Sequence, residues 1–125
     1  MNLALWIAAG TLATVALAGG LSKTLVPRQK LAAAHGGGWT GDASDGFVKS
    51  LGVLELLAAA GLILPAVLSI APTLVPVTAA AWVALMIGAM ITHGRRGEVG
   101  FVALNFFYLG LAAVIAWGRF GPESF

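Results

Sequence analysis

The chain contains no cysteine. That absence removes disulfides, thiolate nucleophiles and thiolate metal ligands, and it leaves the redox compartment unreadable from cysteine usage. Charge is scarce as well: Asp, Glu, Lys and Arg make up 10% of the 125 residues, against roughly 25% in an ordinary soluble domain. The glycines of "GGGWTGDASDG" are not followed by the Lys-Ser or Lys-Thr pair that a phosphate-cradling loop requires. What fills the chain instead is apolar. Hydrophobic residues account for 59% of it, the composition of a membrane protein. The net charge of +2 arises from seven basic residues scattered along apolar sequence, which read as topology markers; no nucleic-acid partner is expected.

Spans of about 20 residues are needed to cross the hydrocarbon core, and four can be cut from the sequence, at about 2–22, 46–65, 73–93 and 98–117. The expected fold class is therefore all-α, a single polytopic four-transmembrane-helix bundle over residues 1–125. The first segment lacks a basic n-region, and its apolar run exceeds that of a secretory signal, so it reads as a retained helix. Ser44 or Asp45 is placed to cap the second span and Pro65 to end it, while Gly94 in "THGRRG" is suited to end the third. In the long connection 24–45, "PRQKLAAAH" is expected to form a short interfacial helix, and the glycine-rich remainder a turn-rich loop in which a lid could sit. Trp39 is read there as an interfacial anchor and His35 as a loop residue. Lys23, Arg28, Lys30, Lys49, Arg95 and Arg96 lie where spans one and two, and three and four, are joined; Arg119 is alone on the other side. The positive-inside rule then places both basic connections in the cytoplasm and both termini outside, in a cell (inner) membrane.

The carboxylate of Glu55 stands inside the apolar run "VKSLGVLELLAAAGLILP". At 1.5 Å per residue it lies about 12 Å below the surface, and Asn105 in the fourth span about 10 Å below it. Lys23 and His93 come at the same ends of spans one and three, so each span contributes one polar residue to the same half of the bundle. Gly52, Ala58 and Ala59 flank Glu55, and Ala16, Gly19 and Gly20 precede Lys23. Such small-residue stripes face neighbouring helices, which turns Glu55 inward. An ionised acid left alone at the bilayer centre costs at least about 2.5–3.5 kcal/mol. The partners in reach are Asn105, as a hydrogen-bond donor, and Lys23, directly or through water. Met86 and Met90 near His93, and Tyr108 near Asn105, offer an adaptable wall. The candidate ligand-binding set is thus Lys23, Glu55, Met86, Met90, His93, Asn105 and Tyr108, with no catalytic or metal-ligating residue assigned. Neither histidine is evidently placed within the bundle as an axial haem ligand, and His93 taken alone reads as an interfacial residue at a helix end beside Arg95 and Arg96. The plainer reading of the same cluster is structural: an inward Glu bonded to Asn fixes helix register, although such bonds contribute only about 0.6 kcal/mol.

"AGGLSKTLVP", "LGVLELLAAAGLILP", "GAMITHGRRGE" and Asn105, in that order and spacing, resemble the DoxX-like family of small four-helix membrane proteins. The resemblance covers essentially the whole chain, and by it Lys23, Glu55, His93 and Asn105 match the family's recurring polar positions. It implies kinship with a membrane subunit associated with sulfur-oxidising, quinone-reducing complexes, a family many of whose short members have no assigned activity. The long first loop with its triple glycine departs from the usual appearance. The leading expectation is a binding or accessory subunit that takes a small apolar molecule such as a quinone, with lipid, redox-complex subunits or further copies of itself as partners. No electron carrier is visible in the sequence, so redox turnover would need a partner subunit. The alternatives are a small proton-coupled transporter working through Glu55, and an assembly factor or scaffold that recognises other helices through its Gly and Ala stripes.

Overall fold

A computed structural model describes residues 1–125. The elements run α1 (Asn2–Leu25), a short α2 (Arg28–Ala33), a 3-10 turn (Gly38–Gly41), α3 (Asp45–Val67), α4 (Leu74–Arg95) and α5 (Val99–Phe120), with no strand. α1, α3, α4 and α5 are each long and apolar enough to cross a membrane, so the protein is an all-helical, four-span membrane bundle.

Local chemistry explains most of the boundaries. Ser44 caps α3 by accepting the Phe47 N–H at 3.1 Å. Pro76 falls in the first turn of α4, where its missing N–H has no intrahelical partner to lose. Two ends differ from expectation. Pro65 does not stop α3, which runs on to Val67: a proline costs the helix only its own bond to the carbonyl four residues earlier, and the bonds that follow are still made, Leu68 N–H donating to Leu64 O at 2.8 Å. The stop comes at Ser69, in the left-handed region at φ 55°, with the Ser69 N–H donating to Ala66 O at 3.3 Å and the Ile70 N–H to Pro65 O at 3.0 Å. Likewise α4 passes through Gly94 and ends at Gly97, φ 71°. There the Gly97 N–H donates to Gly94 O at 3.1 Å and the Glu98 N–H to His93 O at 2.9 Å, the paired bonds of a Schellman stop. Gly97→Ala should therefore cost about 1–2 kcal/mol, the penalty of a left-handed L-residue. A methyl at Gly94 meets nothing nearer than Val102 Cγ2 at 3.9 Å. Thermal unfolding in detergent should show a lower Tm for Gly97→Ala and no loss for Gly94→Ala.

α1 packs mainly on α3 and α4 mainly on α5, while the α3–α4 seam is less extensive. Leu12, Leu62, Val75, Trp82 and Ile115, drawn from all four spans, form the sealed centre. Large side chains such as Ile7, Leu57, Phe106 and Phe107 point outward, the expected finish for helices whose solvent is lipid. Several basic residues have structural tasks. Lys49 donates to the carbonyls of Thr24 and Val26 at 3.1 and 3.3 Å, where α1 has exhausted its own donors. Arg28 Nη1 gathers the carbonyls of Thr40, Gly41 and Ala43 at 3.1–3.3 Å and so holds the glycine-rich loop in shape. At the opposite end Arg119 is buried, its guanidinium 4.0 Å from the Phe125 ring centroid and 5.8 Å from that of Trp6, donating to Glu123 O at 2.8 Å. The expected short helix at α2 is present, and the loop after it folds back over the bundle end.

Candidate functional site

Glu55 is buried, its side chain only 9% exposed, and it reaches Lys23 directly. Lys23 Nζ donates to Oε1 at 3.3 Å and stands 3.0 Å from Oε2. The shorter contact is off the hydrogen-bonding direction, so Oε2 is held by charge alone and has no hydrogen-bond partner. Two features bring the charges together. The Lys23 stem turns inward, leaving its side chain 18% exposed, and Gly19 presents no Cβ where one would sit 3.3 Å from Glu55 Oε1 and 3.4 Å from Lys23 Nζ. The expected bond from Asn105 to Glu55 is not made; the Asn105 side chain is half-buried and lies beside the pair across a cavity.

That cavity has a volume of about 350 Å³. Lys23, Glu55, Asn105 and His93 supply its polar lining, and Leu51 and Met86 are among its apolar walls. Two members of the sequence-derived set are absent from the lining, Met90 and Tyr108. The α4 wall is broad, running from Ala84, Leu85 and Met86 through Gly88 and Ala89 to Thr92 and His93. Met90 does not border the cavity although Met86 and His93, one turn to either side of it, do. Tyr108 lies about 4.5 Å further along its helix than Asn105, and it packs against the sealed apolar centre.

His93 is buried inside the bundle end, a correction to its reading as a helix-end interfacial residue. Its Nδ1 is 2.8 Å from Glu98 Oε1, which leaves Nε2 as the uncommitted nitrogen. The sequence marks Glu98 only as the start of the fourth span. Its place five residues after a histidine, across a tight turn, is the signal that points to the pair. The Phe101 ring stacks on His93 at 5.2 Å and meets His35 of the loop at 5.1 Å. Arg96 Nη1 bonds Asp42 Oδ2 at 2.7 Å, tying the 3-10 turn to the α4–α5 hairpin. Asp42 is 80% exposed, so this pair contributes at most about 1 kcal/mol. The turn sets Trp39 on the cavity wall, and not solely at the membrane surface as an anchor would be.

The arrangement defines a class: a polytopic four-helix membrane protein with a buried ion pair on the wall of a largely apolar cavity at its basic end. The chain belongs to the DoxX-like family, whose model matches residues 7–115. No curated protein and no solved structure is significantly similar to it.

Proposed function

We propose that this DoxX-like protein is a binding or accessory subunit whose cavity takes the polar head of a small membrane-borne molecule, with a quinone as the best-fitting class. The observation that carries the reading is the set of hydrogen-bonding atoms left over on one wall. Glu55 and Asn105 both line the 350 Å³ cavity; the carboxylate has Lys23 as its one side-chain partner, and Asn105 makes no side-chain bond. Lys23, already paired with Glu55, has further N–H donors. A quinone ring presents two carbonyl oxygens, which Lys23 and Asn105 suit as donors; its reduced form presents hydroxyls, which the Glu55 carboxylate and the Asn105 carbonyl suit as acceptors. Trp39, Leu51 and Met86 supply the apolar walls that a flat ring needs. When bound, the quinone would supply the redox chemistry; the chain's own residues bind and orient it and exclude water. Electron delivery then falls to partner subunits of a membrane redox complex. The basic end faces the cytoplasm of an inner membrane in this reading, as the charge bias favours.

Two features tell against the alternatives. The carboxylate already holds a countercharge in Lys23, which suits a fixed recognition site better than a proton-exchanging one. The small-residue stripe beside Lys23 and Glu55 is consumed within the chain, where Gly20 meets Gly52. The test is mass spectrometry of small molecules that co-purify in mild detergent with the wild type and with Glu55→Gln, followed by titration of both with a soluble quinone. A bound quinone in the wild type, and affinity about tenfold lower in Glu55→Gln, is the expected result for loss of one charged hydrogen-bond partner. Equal binding in both, or none in either, overturns the reading.

A further inference from the structure

A second cavity, of about 320 Å³, lies between α3 and α4. Leu51 and Leu85 line both it and the polar cavity, so the two share a wall and lie end to end. The second is the less polar of the two. Eight of the nine residues lining the second are hydrophobic, and the ninth, Thr78, has its hydroxyl committed to Leu74 O at 2.6 Å. No free hydrogen-bonding side chain remains in it apart from the Trp82 indole at its inner wall. Its rim, with Leu54 and Val77, is exposed on the outer face of two membrane-spanning helices, where the surrounding medium is acyl chain. This seam, like that between α1 and α5, is less extensive than the α1–α3 and α4–α5 pairs.

The geometry points to a lateral portal: the α3–α4 groove holds the linear hydrocarbon tail of the molecule whose head occupies the Lys23–Glu55 cavity, and that molecule enters from the bilayer between α3 and α4. The inference rests on the proposed head site and adds to it a tail site, an entry side and a ligand class, the single-tailed membrane amphiphile. Moving a tail from lipid into an apolar groove gains little hydrophobic free energy, because both environments are hydrocarbon. The groove therefore acts by shape, admitting a thin chain that stays in lipid-like surroundings while its head reaches buried polar groups. Blocking it should affect tailed molecules and spare tail-less ones.

The experiment uses the full chain in lipid nanodiscs and two probes, dimethoxybenzoquinone without a tail and the same head carrying a decyl tail with a terminal diazirine. Peptide mapping after illumination should place cross-links on the 51–58 and 77–85 stretches. Ala81→Phe, at an exposed groove position away from the sealed centre, should weaken the tailed probe about tenfold through overpacking and leave the tail-less probe unchanged by calorimetry. Cross-links on α1 or α5, an even spread over the lipid face, or indifference to Ala81→Phe overturns the portal. If the tail-less probe still binds in that case, the head reading survives. Cross-links gathered in the groove with no tail-less binding would keep the groove and remove the head site, and failure of both probes removes both.

Discussion

Lys23→Met is expected to destabilise the folded bundle by about 3 kcal/mol, and the Lys23→Met/Glu55→Leu double variant to recover most of that loss. The reason is the burial of the acid. Its side chain is 9% exposed, its Oε2 accepts no hydrogen bond, and Lys23 is its only charged contact. Removing the ammonium strands a carboxylate in a water-poor interior, whereas removing both charges leaves an apolar contact between helices that already pack closely at Gly20 and Gly52. Denaturant titration of the wild type, both single variants and the double variant in bicelles gives the coupling directly. Losses that simply add would mean that the pair is solvated and contributes little. Glu55→Leu alone should cost less than Lys23→Met alone, because the flexible lysine stem can carry its charge toward the surface and the buried acid has no such escape.

The contrast between what the sequence discloses and what it withholds follows from the range of the forces involved. Four spans, the Ser44 cap and the short helix after Pro27 depend on composition and on neighbours within a turn, and these are legible in one dimension. So is the inward direction of Glu55, because Gly52 on the same face admits another backbone. The direct Lys23–Glu55 contact is harder to read, since depth arithmetic fixes height along a helix but not the bend of a lysine stem. Met90 and Tyr108 fall to a similar limit: proximity in sequence to His93 and Asn105 does not specify which side chains reach a cavity. The loop is least legible. Its position over the cavity depends on Arg96 reaching Asp42 across 54 residues and on Phe101, stacked on His93, meeting His35 at a tilt, contacts that no local pattern announces.

The second large effect is expected where α1 crosses α3. A Cβ on Gly52 would lie 2.8 Å from Lys23 Cβ, 2.9 Å from Thr24 Cγ2 and 3.1 Å from Gly20 O; one on Gly20 would lie 2.7 Å from Leu56 Cγ and 2.9 Å from Gly52 O. Because backbone or near-backbone atoms stand on both sides, side-chain rotation gives no relief and the helices must separate. Gly52→Ala should cost about 1–3 kcal/mol, and Gly52→Leu should leave no folded protein in the membrane fraction. Gly10 and Gly110 have nothing within 4 Å of an added Cβ, so the same change to alanine there should be neutral or stabilising by up to about 1 kcal/mol. Opposite signs for one chemical change at three helical glycines, read from folded yield and Tm in a single detergent, would establish that the crossing is set by backbone proximity. A tolerated Gly52→Leu would refute it. The consequence reaches the cavity, because Lys23 stands one turn beyond Gly19 and its Cβ abuts Gly52. Even the folded Gly52→Ala protein should therefore show a wider Lys23–Glu55 separation and weaker head-group binding, although the added methyl would touch no ligand.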